Sequence, residues 1–269
     1  MNKVHHSHAG INAVLLAGSR PGRDPLADAA GVPTKALVPV AGRPMLDHVA
    51  RTLVDHPRIA SVIIMAQQPE LLVDNPQTDW LTQHEKVQFV HSDSGISQSL
   101  LNWVDATPGA LPALVTTADN ILLSAEMIDA FLAEVGETDI AAAMVERDVL
   151  LARYPASRRT WLKFRKGAWS GANLFWLGST RAKAALGKWR EIEQDRKKRW
   201  KIISAFGPLL LLGAALRLLT IHQAITGAGR RLGVDARVVP MNIAEACIDA
   251  DKPDDVTLIE SIIAQRNGA

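Results

Sequence analysis

The stretch from residue 11 to residue 46, INAVLLAGSRPGRDPLADAAGVPTKALVPVAGRPML, constrains the fold more than any other part of the chain. Residues 11–17 are small or branched and, but for Asn12, apolar; a run of that length and kind suits one buried strand in the middle of a parallel sheet. A loop of Gly18, Ser19, Arg20, Pro21, Gly22 and Arg23 follows. Its two glycines let the backbone approach a ligand, and its guanidinium groups match phosphate oxygens in a bidentate way. Lys35 comes next, and Gly42, Arg43 and Pro44 then open a helix in which Leu46, Val49, Ala50 and Leu53 repeat at helical spacing.

Two common nucleotide fingerprints are absent. No Gly-Lys-Ser/Thr closes the loop as a P-loop requires, and the G-x-G-x-x-G spacing of a dinucleotide fold is missing. The ordered set Leu16, Ala17, Gly18, Ser19, Gly22, Arg23, Lys35, Leu37, Pro39, Gly42, Pro44, Met45 and Leu46 resembles the nucleotidyltransferase superfamily, in particular the MobA-like NTP transferases. Their signature is an apolar strand, L-A-G-G-x-G-x-R, a lysine, then L-x-P-x-x-G-x-P-M/L and a helix. Ser19 stands where that signature has its second glycine. The resemblance implies a GT-A-like fold. It also implies a nucleotide site built on Leu16, Ala17, Gly18, Ser19, Gly22, Arg23 and Lys35, with Arg23 and Lys35 as the catalytic cations.

The 269 residues, 48% hydrophobic, suffice for one large α/β domain. We expect a single domain over 11–269, with a nucleotide-binding half of about 11–146 and an acceptor-binding half of about 147–269. Residues 1–10, MNKVHHSHAG, read as a disordered leader, with metal binding by His5, His6 and His8 as the alternative. The net charge of +2, from 30 basic and 28 acidic residues, argues against a general nucleic-acid binder, which would need a broad positive face. One cysteine, Cys247, cannot form an internal disulfide, and the start of the chain lacks the order of a signal peptide, so the expected location is the cytoplasm.

Further apolar runs at 61–66, 87–91, 111–117, 140–145 and 234–239 read as strands alternating with helical segments. That alternation predicts a doubly wound, mostly parallel central sheet. The strand at 111–117 ends in Ala118-Asp119-Asn120. An acidic residue at the carboxyl end of such a strand lies where ligands bind in open α/β sheets, so Asp119 is the first candidate for a Mg²⁺ or Mn²⁺ ligand. The alternative is a turn residue before the helix at 124–135, which Ser124 caps. Gly95, Ser97 and Ser99 precede a second helix. The resemblance places such a segment against the nucleobase, while Ser97 equally serves as a helix cap.

The second half begins with an antiparallel hairpin, residues 160–165 and 169–177 about Gly167. In the resembled enzymes this half receives the acceptor, which singles out Gly171 and Asn173 for acceptor binding and Lys163 as a catalytic cation on the acceptor phosphate. Lys163 on a solvated hairpin face is the competing reading. Residues 196–219 join a basic run to an apolar one of fifteen residues, too short to span a bilayer, which needs roughly 20. We expect packing on the chain's own hairpin or across a homodimer, with weak contact to a membrane surface as the alternative. Residues 248–256, IDADKPDDV, resemble the D-x-D-x-P-E-D-L close of the same superfamily. Asp249 and Asp251, two apart on an extended segment, face one side and complete a cation site with Asp119.

The function expected is Mg²⁺-dependent transfer of an NMP from an NTP to a phosphorylated small-molecule acceptor, with release of pyrophosphate. A nucleotide-sugar-using glycosyltransferase, a non-catalytic nucleotide binder and a membrane-docking protein remain the alternatives.

Overall fold

The computed structural model describes residues 10–19, 22–92, 95–194 and 207–268. The leader histidines, Arg20, Pro21 and the basic run 196–201 lie outside them. The first half contains β1 (Ile11–Leu16), α1 (Pro25–Ala30), the short pair β2 (Pro39–Val40) and β3 (Arg43–Pro44), α2 (Met45–Asp55), β4 (Ile59–Ala66), α3 (Pro69–Val73) and β5 (Val87–His91). It continues with α4 (Ile96–Ala106), β6 (Ala113–Thr117), α5 (Ala125–Glu134), β7 (Ile140–Glu146) and α6 (Arg147–Arg153). The second half adds β8 (Leu162–Lys163), β9 (Ala168–Leu177), α7 (Ala182–Gln194), α8 (Pro208–Ala215), α9 (Ile221–Leu232), β10 (Ala236–Met241) and α10 (Pro253–Asn267).

The main sheet runs β10-β7-β9-β6-β1-β4-β5, with β8 paired to β9. All neighbours are parallel except β9, which is antiparallel to both β6 and β7. The expected hairpin is therefore present as β8 and β9, but its second strand is also a central member of the sheet. In β1, Ala13 and Leu15 face one apolar layer and Val14 the other. A strand covered on both faces needs apolar residues along its length, and this one has them at all positions but one. Its polar exception, Asn12, sits at the far end, where its amide donates to the carbonyls of Gly109 at 2.9 Å and Ala110 at 3.0 Å.

One layer is made by α2, α5 and α10, through Leu46, Val49, Leu53, Ile128, Phe131, Ile259 and Ile262; the other by α4 and α7, through Leu100, Trp103, Val104 and Ala182. Ser124 caps α5, its hydroxyl accepting from the Met127 N–H. From β1 the chain moves outward to β4 and β5, then returns to the other side of β1 as β6. Connections leave β1 and β6 in opposite directions, which opens a crevice at their carboxyl ends.

Candidate active site

Two loops meet in that crevice. After β1, the Ser19 N–H donates to Gln67 Oε1 at 2.9 Å, and Gln67 Nε2 donates to the Ser19 carbonyl at 3.2 Å. A Cβ on Gly18 would stand 2.8 Å from Gln67 Oε1, so only glycine lets this side chain close over the loop. Ser19 does what a second glycine could not: its hydroxyl lies 3.0 Å from that of Thr34, tying the loop to the residue before Lys35. Gly22 has a φ of +110°, a backbone conformation that favours glycine.

Lys35 reaches across the crevice. Its Nζ lies 2.8 Å from Asp119 Oδ2 and 3.0 Å from Asp251 Oδ1. Burial pulls the pKa of this ammonium down, but Asp119 and Asp251 outweigh burial and hold it above the ordinary lysine value. Asp119 is itself fixed: one carboxylate oxygen accepts from the Thr117 hydroxyl, and its backbone carbonyl accepts from the Ala250 N–H at 3.2 Å. The second contact joins the 249–251 segment to the end of β6. As a result one oxygen each of Asp119, Asp249 and Asp251 lie within 4.8 Å of one another. Three convergent carboxylates, hard donors beside an open crevice, fit a small hard cation of the Mg²⁺ or Mn²⁺ kind.

Asp249 is held from behind. Arg159, with its side chain only 8% exposed, donates to the Asp249 carboxylate, to the carbonyls of Cys247 at 2.8 Å and Asp249 at 3.1 Å, and lies 3.6 Å from Asp255. Asn173 donates to the other oxygen of Asp249 at 2.9 Å. The β7–β9 register shifts between Ala142 and Met144, and Asn173 has a left-handed φ of 46°. A bulge of this kind re-aims one side chain, here toward Asp249. Burial pushes the Asp249 carboxyl pKa up; Arg159 opposes this, and Asp251 and Asp119 add to it.

The remaining expected residues are spread around this centre. Arg23 is exposed and 3.6 Å from Asp28; Lys163 is exposed on β8; and Gly171 is exposed on β9 with open space where a side chain would be. At the start of α4, the Ser97 hydroxyl donates to Glu193 at 2.9 Å and the N–H groups of Ile96 and Ser97 donate to the same carboxylate at 3.3 Å. Ser99 is buried and donates to the Gly95 carbonyl at 2.9 Å. Sequence reasoning passed over Gln67, Arg159 and Glu193. Gln67 had a signal, its place just beyond a parallel strand; Arg159, in a loop without periodicity, and Glu193, almost a hundred residues from its partners, had none.

Among curated protein sequences none matches the chain. Solved structures do. A hypothetical transferase from Thermus thermophilus is 26% identical with a TM-score of 0.74, the match covering 92% of this chain and 99% of that one. A 4-diphosphocytidyl-2C-methyl-D-erythritol synthase from Anaerococcus prevotii is 10% identical with a TM-score of 0.59, covering 96% and 97% of the two chains. A CMP:2-keto-3-deoxy-manno-octonic acid synthetase solved with CTP is 11% identical with a TM-score of 0.55, covering 96% and 100%. At those last two identities the likeness is one of fold. The family model of the MobA-like NTP transferase domain matches residues 13–205, so the glycine loop, Lys35 and Asp119 fall inside it, and the chain belongs to that family of nucleotidyltransferases.

Proposed function

We propose that the protein transfers an NMP from an NTP to a phosphorylated small-molecule acceptor and releases pyrophosphate. The observation that carries this reading is Lys35 held between Asp119 and Asp251 beneath the Gly18–Ser19 loop, a cation and a carboxylate cluster at the sheet's switch point. An oxygen of the acceptor phosphate attacks the α-phosphorus; the bond to that oxygen forms as the bond to the bridging oxygen breaks, and pyrophosphate departs in line. The N–H groups of Gly18 and Gly22, with that of Ser19 once Gln67 releases it, hold the triphosphate, and Arg23 and Lys35 offset the charge that develops on it. Gly95, Ser97 and Ser99 flank the base, and Gly171 with Lys163 flank the acceptor.

Asp119, Asp249 and Asp251 would hold Mg²⁺ or Mn²⁺. The chemistry such an ion would supply there is positive charge against the phosphate oxygens, which would ease the approach of the nucleophile. Arg159 and Asn173 keep the Asp249 carboxylate turned toward Asp119 and Asp251, an outer-shell role that sets ligand orientation.

The test is a pyrophosphate-release screen of four NTPs against phosphorylated sugars, polyols, lipid headgroups and molybdopterin, with nucleotide-sugars assayed in parallel. Turnover of one NTP that depends on one acceptor class is expected. Turnover of nucleotide-sugars alone would replace this reading with glycosyl transfer, and nucleotide binding without turnover of any donor would replace it with a sensor.

A further inference from the structure

The near-neutral total charge hides a strong separation. The described residues of 149–194 and 207–234 carry 13 arginines and lysines against two acids, Glu191 and Glu193. Part of this charge is spent inside the fold, as at Arg159. Lys163, Arg165, Lys166 and Arg217 are exposed, and none has a carboxylate partner among the described residues. They belong to one place: the Arg165 N–H donates to the Leu219 carbonyl at 2.9 Å, which joins the β8–β9 hairpin to the turn after α8.

That same turn and helix present uncovered leucines. Leu212, Leu216 and Leu218 are 55%, 60% and 61% exposed, and Leu162 on the hairpin is 51% exposed. Packing of this segment uses other residues, Leu210 against Gly227 and Leu219 against Gly213. Leu212 and Leu216 lie one helical turn apart, so they point the same way. No helix among the described residues is long and apolar enough to cross a membrane.

We propose that this face, Leu212, Leu216 and Leu218 rimmed by Arg165, Lys166 and Arg217, docks on the surface of an anionic lipid bilayer. Aliphatic side chains enter the boundary between headgroups and acyl chains while the cations stay with the anionic headgroups. A second copy of the chain fits poorly, because the two faces would meet with the same sign of charge. A single-stranded nucleic acid would use the cations, but its bases stack on aromatic rings, and the uncovered side chains of α8 and its turn are leucines. The inference goes beyond nucleotidyl transfer and holds or fails with no nucleotide present.

The experiment is co-sedimentation of the full chain with phosphatidylcholine vesicles, with and without phosphatidylglycerol. It is run at about 0.01 M and 1 M salt, where the Debye length is roughly 30 and 3 Å. Binding to the anionic vesicles at low salt, and little to the neutral ones, is expected. The Arg165→Ser, Lys166→Ser variant should bind about fivefold more weakly for each cation removed. The Leu216→Ser, Leu218→Ser variant should bind about tenfold more weakly for each leucine. All four positions are exposed, and unchanged thermal unfolding shows that the variants are folded. Three outcomes overturn the proposal: no binding to anionic vesicles, binding that the leucine substitutions leave unchanged, or displacement from vesicles by a single-stranded oligonucleotide at lower concentration than by lipid.

Discussion

Arg159→Met should destabilise the protein by about 3–5 kcal/mol, the range for removing one partner of a buried ion pair. The guanidinium is 8% exposed; it donates to the Asp249 carboxylate and to the carbonyls of Cys247 and Asp249, and pairs at 3.6 Å with the Asp255 carboxylate. Methionine fills much of the volume and supplies no donor, so the Asp249 and Asp255 carboxylates lose the cation they share. The two carbonyls lose partners as well, at roughly 1–3 kcal/mol each if water does not replace the donor, an effect that overlaps with the first. For a chain of this size each kcal/mol lowers Tm by about 2–4 °C, so a fall of roughly 10 °C is expected by circular dichroism at neutral pH. Arg159→Lys keeps the charge but cannot fork to three oxygens, and should fall between the two. In a double-mutant cycle with Asp249→Asn, a coupling of about 1–3 kcal/mol is expected. A Tm for Arg159→Met within about 2 °C of the wild type would refute the argument, because it would mean that Asp249 and Asp255 do not depend on this cation.

Lys35→Ala should leave a folded protein and lower turnover by on the order of a hundredfold or more, the scale for loss of one preorganised donor in a transition state; wild-type turnover by the folded variant would remove Lys35 from the phosphate site. Asp119→Asn should weaken Mn²⁺ binding, read by electron paramagnetic resonance without substrate, and abolish metal-dependent turnover, since an amide is a poorer ligand for a hard cation; unchanged Mn²⁺ affinity would make Asp119 a turn residue. Asp139 predicts a pH effect on stability. The Ser179 hydroxyl first, then the Asp235 N–H and Arg181, hold its carboxyl below the ordinary value of 3.8. A depressed carboxyl stabilises the fold fully above pH 3.8, and that contribution fades as pH falls through the native value. The Tm gap between wild type and Asp139→Asn should therefore be constant near neutrality and narrow in acid; a gap that widens in acid would reverse the assignment.

The fold was legible where local pattern and tertiary role coincide. Residues 11–17 have the length and kind of one buried strand, and the observed β1 spans Ile11–Leu16; the periodicity of Leu46, Val49, Ala50 and Leu53 describes the buried face of α2. Residues 87–91 have the same bounds in both readings. The hairpin was legible as a hairpin, but nothing local says that β9 inserts antiparallel between β6 and β7. That depends on which edges remain unpaired once six strands have assembled, which is a property of the whole sheet. The acidic cluster was legible because Asp249 and Asp251 are two apart on extended backbone and Asp119 ends a strand. What holds the cluster was not legible: Arg159 reaches Asp249 from a loop 90 residues earlier, and Asn173 is aimed by a bulge that appears only in the pairing register.

A net +2 over the chain is correct as a sum and weak as a statement about surfaces, because electrostatic attraction acts within a Debye length of about 8 Å at physiological ionic strength. A partner therefore meets a local face, not a total. Here residues 149–234 hold 18 of the 30 cations and three of the 28 acids, so the balance seen in composition is the cancellation of two oppositely charged parts. The carboxylates Asp119, Asp249 and Asp251 that meet at the sheet edge belong to the acidic part, and the leucine-bearing helix α8 to the basic one. Strand β9 joins them: Trp169 pairs with Leu162 of the hairpin, and Asn173, four residues on in the bulge and at most roughly 13 Å along the strand, holds Asp249. A surface on which the hairpin docks would thus lie one strand's length from the carboxylate cluster.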